Sequence, residues 1–173
     1  PIMQNIFSIN SGSFQPIIKQ VLVSAKVCLR SKNESQFPVI VGFPGETREA
    51  FEASLAFAIR LGQMSDHFDI PIFYFKPYPG SDITNKAVRD GYKLPETLDE
   101  WAGFDYMHAV SPWMSYERFR LAENVKFYLR LSQTQRKLLK PFKWLSRQRL
   151  NSGYYGATFE KWLKKGAKHV LGK

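Results

Sequence analysis

The chain is nearly devoid of cysteine: Cys28 is the single one among 173 residues. That rules out a disulfide framework, a Cys-x-x-Cys pair and any cysteine-based metal site built from this chain alone, and it fits a reducing, cytoplasmic setting. Long apolar runs are missing too. No stretch approaches the ~20 apolar residues that span a bilayer, and the amino end has no basic start followed by a long apolar core, so neither export nor membrane insertion is expected. Histidine is scarce, and His67, His108 and His169 are too scattered for metal-ligand spacing. Acidic residues are depleted in the last third: residues 115–173 hold 15 Lys and Arg against 3 Asp and Glu, whereas residues 1–114 hold 10 against 12. There is no internal repeat and no low-complexity tract.

What is present suffices for a packed core, since 44% of the residues are hydrophobic and 15% aromatic. That content suits one compact domain or part of a larger one. The basic tail, with a net charge of +12, suits nucleic acid, an anionic membrane surface, an acidic partner or a solvated helical face. The chain opens Pro1-Ile2-Met3, and Asn5 to Ile9 already reads as a strand. So abrupt a start is expected of a piece of something longer.

Along the chain, strand-like and helix-like stretches alternate. After the turn Asn10-Ser11-Gly12-Ser13, Pro16 suits the first turn of a helix running from Ile17 to about Leu29, with Ile18, Val21, Leu22 and Ala25 at helical spacing. Phe37 to Val41 is a short apolar run typical of a strand buried on both faces. Gly42 to Glu46 breaks it, and Thr47 is placed to cap a helix carrying Phe51, Leu55, Ala58 and Ile59 on one side and stopping near Gly62. Phe68 to Phe75 is a further apolar strand, ended by Lys76-Pro77-Tyr78-Pro79-Gly80-Ser81. Such strand-loop-helix succession predicts parallel strands with crossover helices. Short helices follow near 82–90 and 97–104. Residues 115 to about 139 read as one long basic helix with Phe119, Ala122, Val125, Leu129 and Ser132 inward, ended or kinked at Pro141, and Phe142 to Leu150 as a second.

Three loops can carry chemistry. Gly42-Phe43-Pro44-Gly45-Glu46-Thr47 sits where a strand hands over to a helix, so its backbone N–H groups can face an anionic or polar ligand, or the residues can simply make a tight turn. It lacks the Gly-x-Gly-x-x-Gly pattern and the lysine of nucleotide-phosphate loops. Lys76 to Ser81 leaves the next strand on the same rim, with two prolines stiffening a wall around Tyr78 that suits either stacking on a planar ring or a rigid turn. Asn10 to Ser13 is the third, whose small polar side chains suit ribose hydroxyls or a helix cap.

Taken together, the runs from Val39 to Thr47 and from Phe73 to Ile83, then Gly91-Tyr92-Lys93-Leu94-Pro95 and Glu100-Trp101, resemble the latter half of the barrel of radical S-adenosylmethionine (SAM) enzymes. The tail stretches Lys143 to Arg149 and Phe159-Glu160 resemble most closely the group with a cobalamin-binding domain ahead of that barrel. The resemblance covers about residues 5–165 and is densest from 38 to 105. It implies an α/β fold, a partial (β/α) barrel with parallel strands over residues 1–110, followed by a basic helical extension over 111–173. It also implies that Asn10, Ser11, Ser13, Ile40, Gly42, Phe43, Pro44, Gly45, Glu46, Phe75, Lys76, Pro77 and Tyr78 surround SAM, with Ile40 and Gly42 near the adenine. Asn10 stands where the family has an acid, which puts a charge-dependent contact there in doubt.

In such a parent, a 4Fe-4S cluster donates an electron to SAM, and the resulting 5'-deoxyadenosyl radical abstracts a hydrogen from a substrate that the sequence does not identify. The cluster's Cys-x-x-x-Cys-x-x-Cys motif is absent here and is expected in a missing amino-terminal part, as is any cobalamin site. The chain alone is therefore expected to be inactive. The rival reading is a non-catalytic interaction module whose basic tail takes an acidic partner or nucleic acid. The spread of charges around the tail helices favours solvation over nucleic acid, and no membrane span is expected.

Overall fold

A computed structural model describes residues 15–31, 34–104, 112–135 and 139–155. Among the described residues, six helices and four short strands run in the order α1 (Gln15–Ser31), β1 (Ser35–Gln36), β2 (Val39–Val41), α2 (Arg48–Met64), β3 (Phe68–Asp69), β4 (Ile72–Tyr74), α3 (Asp82–Arg89), α4 (Leu98–Ala102), α5 (Tyr116–Ser132) and α6 (Lys140–Ser152).

The four strands form one parallel ribbon interrupted at its middle. Ser35 pairs with Phe68, and Val39, Ile40 and Val41 pair with Ile72, Phe73 and Tyr74, a constant offset of 33 residues. In that register Pro38 falls opposite Pro71. Neither proline has an N–H to give, so the regular ladder breaks there. It is carried across by Phe37 N–H donating to Asp69 O at 2.9 Å and Val39 N–H donating to Pro71 O at 2.9 Å. The expected β-α-β succession is present, with α2 as the crossover. The described strands make pairs, not a closed barrel.

Local chemistry sets the helix starts. The Thr47, Ser81, Thr97 and Ser115 hydroxyls accept from the backbone N–H groups of Ala50, Thr84, Glu100 and Arg118, each satisfying a donor that the first turn leaves open. Thr97 and Glu100 complete a reciprocal capping box. Gly153, at φ +66, ends α6 in the left-handed conformation.

Among the described residues, one core collects Val41, Ile72 and Tyr74 from the ribbon, Phe51, Leu55, Ala58 and Ile59 from α2, Ala122, Val125 and Leu129 from α5, and Leu150 from α6. Phe119 packs partly buried against it, and Ser132 is buried, so the inward face expected of α5 is observed. Three expectations need correction. Phe37 to Val41 is not covered on both faces among the described residues: Val41 is fully buried, but Ile40, pointing the other way, is 48% exposed. The long basic helix stops at Ser132, where the Gln133 side-chain amide donates to the Phe68 carbonyl and ties the helix end to the ribbon. Pro141 neither ends nor kinks α5. It lies in the first turn of α6, where its missing N–H costs nothing.

The tail cations are also less uniformly solvated than the sequence implies. Arg120, Arg130, Lys140 and Arg147 are exposed, but Arg118, Lys126 and Lys143 are half-buried with partners. No described helix is long and apolar enough to cross a membrane.

Candidate functional site at the carboxyl ends of the strands

Because β2 and β4 are parallel neighbours, the loops that follow them leave the same edge of the ribbon. Phe75 N–H donates to Val41 O at 2.8 Å, the last rung before the two chains diverge. Gly42 turns the first loop at φ +82, a conformation that strains any residue with a Cβ. A Cβ there would also overlap the terminal methyl of Met114.

The first loop is braced from within. Gly42 N–H donates to a Glu46 carboxylate oxygen at 2.7 Å, and Glu46 N–H donates to Phe43 O at 3.0 Å. From outside, the Trp113 indole N–H donates to Gly42 O at 2.6 Å, and the Arg118 guanidinium donates to Glu46 O at 2.9 Å. Burial pushes the Glu46 carboxyl above its ordinary range, against the opposing pull of the Gly42 and Phe43 N–H donors and the Arg118 charge. The expectation that this loop turns its N–H groups toward a ligand therefore fails at Gly42. Its one donor is engaged by the chain's own carboxylate, and the Glu46 carboxylate is accordingly directed inward.

Aromatic rings join the two loops. Phe43 lies 4.7 Å from Phe75 between ring centres, Phe75 lies 6.3 Å from Trp113, and Trp113 lies 5.2 Å from Tyr92. Further along the second loop, half-exposed Tyr78 meets Phe104 edge-on at 5.4 Å, and the Lys76 ammonium sits 5.0 Å over the Phe104 ring. Pro77, between Lys76 and Tyr78 in sequence, is fully buried. Pro44 is half-buried and Gly45 lies exposed at the tip of the first loop.

Residues 43–46 and 75–78 thus belong to two loops that leave the same edge and are joined by the Phe43–Phe75 contact, and Ile40 on β2 is exposed. Asn10, Ser11 and Ser13 lie outside the described residues. Trp113, Met114 and Arg118 escape sequence reasoning although they clamp the first loop. The one local signal is Ser115, the cap of α5, which places Trp113 and Met114 at the start of that helix.

Cys28 lies half-buried in α1. Among the described residues, no group of three His, Cys, Asp or Glu side chains is placed to hold a metal ion. No protein-family model matches the chain, and no solved structure matches it.

Proposed function

We propose that this chain is the carboxy-terminal part of a radical SAM enzyme and that the edge where β2 and β4 end holds the adenosyl portion of SAM. The observation that supports this most is the emergence of loops 42–47 and 75–81 side by side from two neighbouring parallel strands. Ligands of open and closed α/β sheets gather at that edge.

The residues fit an apolar, planar group better than an anionic one. Ile40 is 48% exposed beside the edge, its register partner Phe73 shares its face, and Tyr78, in the loop after β4, is half-exposed. Adenine would lie against Ile40 and these rings. The Gly42 amide is spent on Glu46, so loop 42–47 orients the ligand by shape more than by donated hydrogen bonds. The roles left to this chain are to grip the adenosyl group and to exclude water from it.

The residues do not fit a 4Fe-4S cluster. Such a cluster needs several thiolates held together, and Cys28 is alone. Cluster, substrate and any cobalamin are assigned to parts of the enzyme outside these 173 residues, and no step at the cluster is assigned to these side chains.

Titration of the chain with S-adenosylhomocysteine, which keeps the adenosyl group, tests the reading by nuclear magnetic resonance. Resonances of Ile40, Phe43 and Tyr78 should shift together, and Ile40→Asp should abolish the shifts without unfolding the chain, because the side chain faces water. Shifts confined to other residues, or none at millimolar ligand, would sink it. Anaerobic reconstitution should leave the chain without a stoichiometric cluster and without 5'-deoxyadenosine production.

A further inference from the structure

We infer that the chain carries a second binding site, a groove along α6 that takes one nucleotide unit, with the phosphate on its cations and the base on Trp144. The groove has a volume of about 320 Å³ and is lined by Thr134, Gln135, Lys140, Lys143, Trp144 and Arg147. That is the size of a small-ligand cleft and suits one nucleotide, not a duplex.

Three features of α6 build the site. Lys140, Trp144 and Arg147 recur at helical spacing and share one face. Trp144 is 65% exposed, while the helix meets the core through Leu150 and buried Ser146 on another side. Removing Trp144 from water would be favourable, yet the fold leaves its ring open. Asp66, in the turn before β3, accepts from Lys143 at 2.5 Å and from Arg147 at 2.7 Å. One carboxylate thus holds two cations side by side on the wall of the groove, and with Lys140 these four described side chains carry a net charge of +2.

The ligand class follows from the combination. A run of carboxylates would satisfy the cations and leave the indole ring idle. A nucleotide brings a phosphate for the ammonium and guanidinium groups and a flat π face for Trp144 within one unit, the pairing by which single strands are held without sequence preference. α6 carries Lys140, Lys143, Arg147 and Arg149 and no acidic residue, so it repels nothing along the ligand's backbone. The site is distinct from the strand-end edge, and its test needs no SAM.

The experiment is a titration of the 173-residue chain with thymidine monophosphate, with a ten-nucleotide oligothymidylate and with polyglutamate of equal charge. Binding is read as anisotropy and as the shift of the Trp144 indole resonance, assigned by its loss in Trp144→Phe. The oligonucleotide is expected to bind, with Kd rising about tenfold between 50 and 200 mM salt for two to three phosphate contacts. Trp144→Ala should weaken it by about tenfold, the scale of one lost stacking contact. Lys140→Glu should weaken it as well. Both side chains are exposed, and circular dichroism checks that each variant stays folded.

Tighter binding of the oligonucleotide than of the mononucleotide assigns the site to a single strand, and equal binding assigns it to a free nucleotide. Either upholds the groove. Polyglutamate binding as tightly as the oligonucleotide would make the groove a docking surface for acidic protein and overturn the proposal. So would wild-type affinity in Trp144→Ala, or no binding of either nucleotide probe at millimolar concentration.

Discussion

The carboxylate of Glu46 accepts a 2.7 Å hydrogen bond from the amide of Gly42, so the loop after β2 closes on itself within four residues. Two longer-range bonds, from Trp113 to Gly42 O and from Arg118 to Glu46 O, fasten the closed loop to the start of α5. The loop is thereby braced by the chain's own hydrogen bonds, and such preorganisation suits a site that orients by shape.

The first prediction concerns the proton on Glu46. Its carboxyl is raised above the ordinary range because desolvation outweighs the two backbone donors and Arg118. The native chain therefore holds this proton to higher pH than the unfolded chain does. The associated stability is fully present below the ordinary carboxylate range and is lost as pH rises through the raised value. Glu46→Gln keeps an acceptor for Gly42 N–H and does not titrate. The urea midpoint of the wild type relative to Glu46→Gln should fall as pH rises above the ordinary carboxylate range. A rise there would mean that the donors and Arg118 win.

The second concerns Gly42 and Met114. Gly42→Ala forces an L residue to φ +82, at a cost of about 1–2 kcal/mol, and drives its methyl into the Met114 side chain. Met114 is buried, so Met114→Ala alone should cost about 2–3 kcal/mol. Combined, the two should cost about 1 kcal/mol less than their sum, because the truncation removes the overlap but not the backbone strain. Chemical denaturation of the four proteins measures the coupling, and strict additivity would show that Met114 moves aside freely.

These clamps explain which parts of the molecule are legible in the sequence. Caps are local, and Thr47 sits three residues from the Ala50 amide it accepts from, within a short window of sequence. The parallel strand pair is legible because two apolar runs flank a single amphipathic helix. The end of α5 is not, since what ties it down is the Gln133 contact with Phe68, 65 residues away in sequence. Trp113 and Arg118 reach Gly42 and Glu46 across gaps of 71 and 72 residues, and nothing in either segment advertises the other. Ile40 misleads for a different reason: an apolar run reads as buried on both faces whether or not anything covers the second one.

The third prediction reverses a usual sign. Glycine inside a helix is worse than alanine by about 1 kcal/mol, so Gly62→Ala in α2 would ordinarily stabilise. Here the new Cβ would lie 2.7 Å from Leu129 Cδ2 and 3.3 Å from the Gln133 amide nitrogen. Leu129 is 2% exposed and cannot swing into solvent. Overpacking of this kind costs about 1–3 kcal/mol, so a net loss of about 1 kcal/mol is expected. Adding Leu129→Ala should turn Gly62→Ala from destabilising to neutral or better. A more stable single variant, measured by thermal unfolding, would mean that α2 and α5 separate easily.

The last prediction sets stability against binding at one residue. Asp66 pairs with Lys143 and Arg147 and so ties α6 to the turn ahead of β3, but it also cancels one of the three positive charges in the groove. The Asp66 side chain is 31% exposed, and those of Lys143 and Arg147 are 18% and 47% exposed, so the two pairs together are worth about 1 kcal/mol. Asp66→Asn should lower stability by about that amount, and the deficit should shrink between about 0.05 M and 1 M salt, as screening weakens the pairs in the wild type. The same change raises the groove charge from +2 to +3, so oligothymidylate affinity should rise several-fold at low salt. Opposite movements of the unfolding midpoint and the Kd are the expected signature. If affinity falls together with stability, holding Lys143 and Arg147 in register matters more to the ligand than the charge that Asp66 removes, and the groove's recognition rests on geometry.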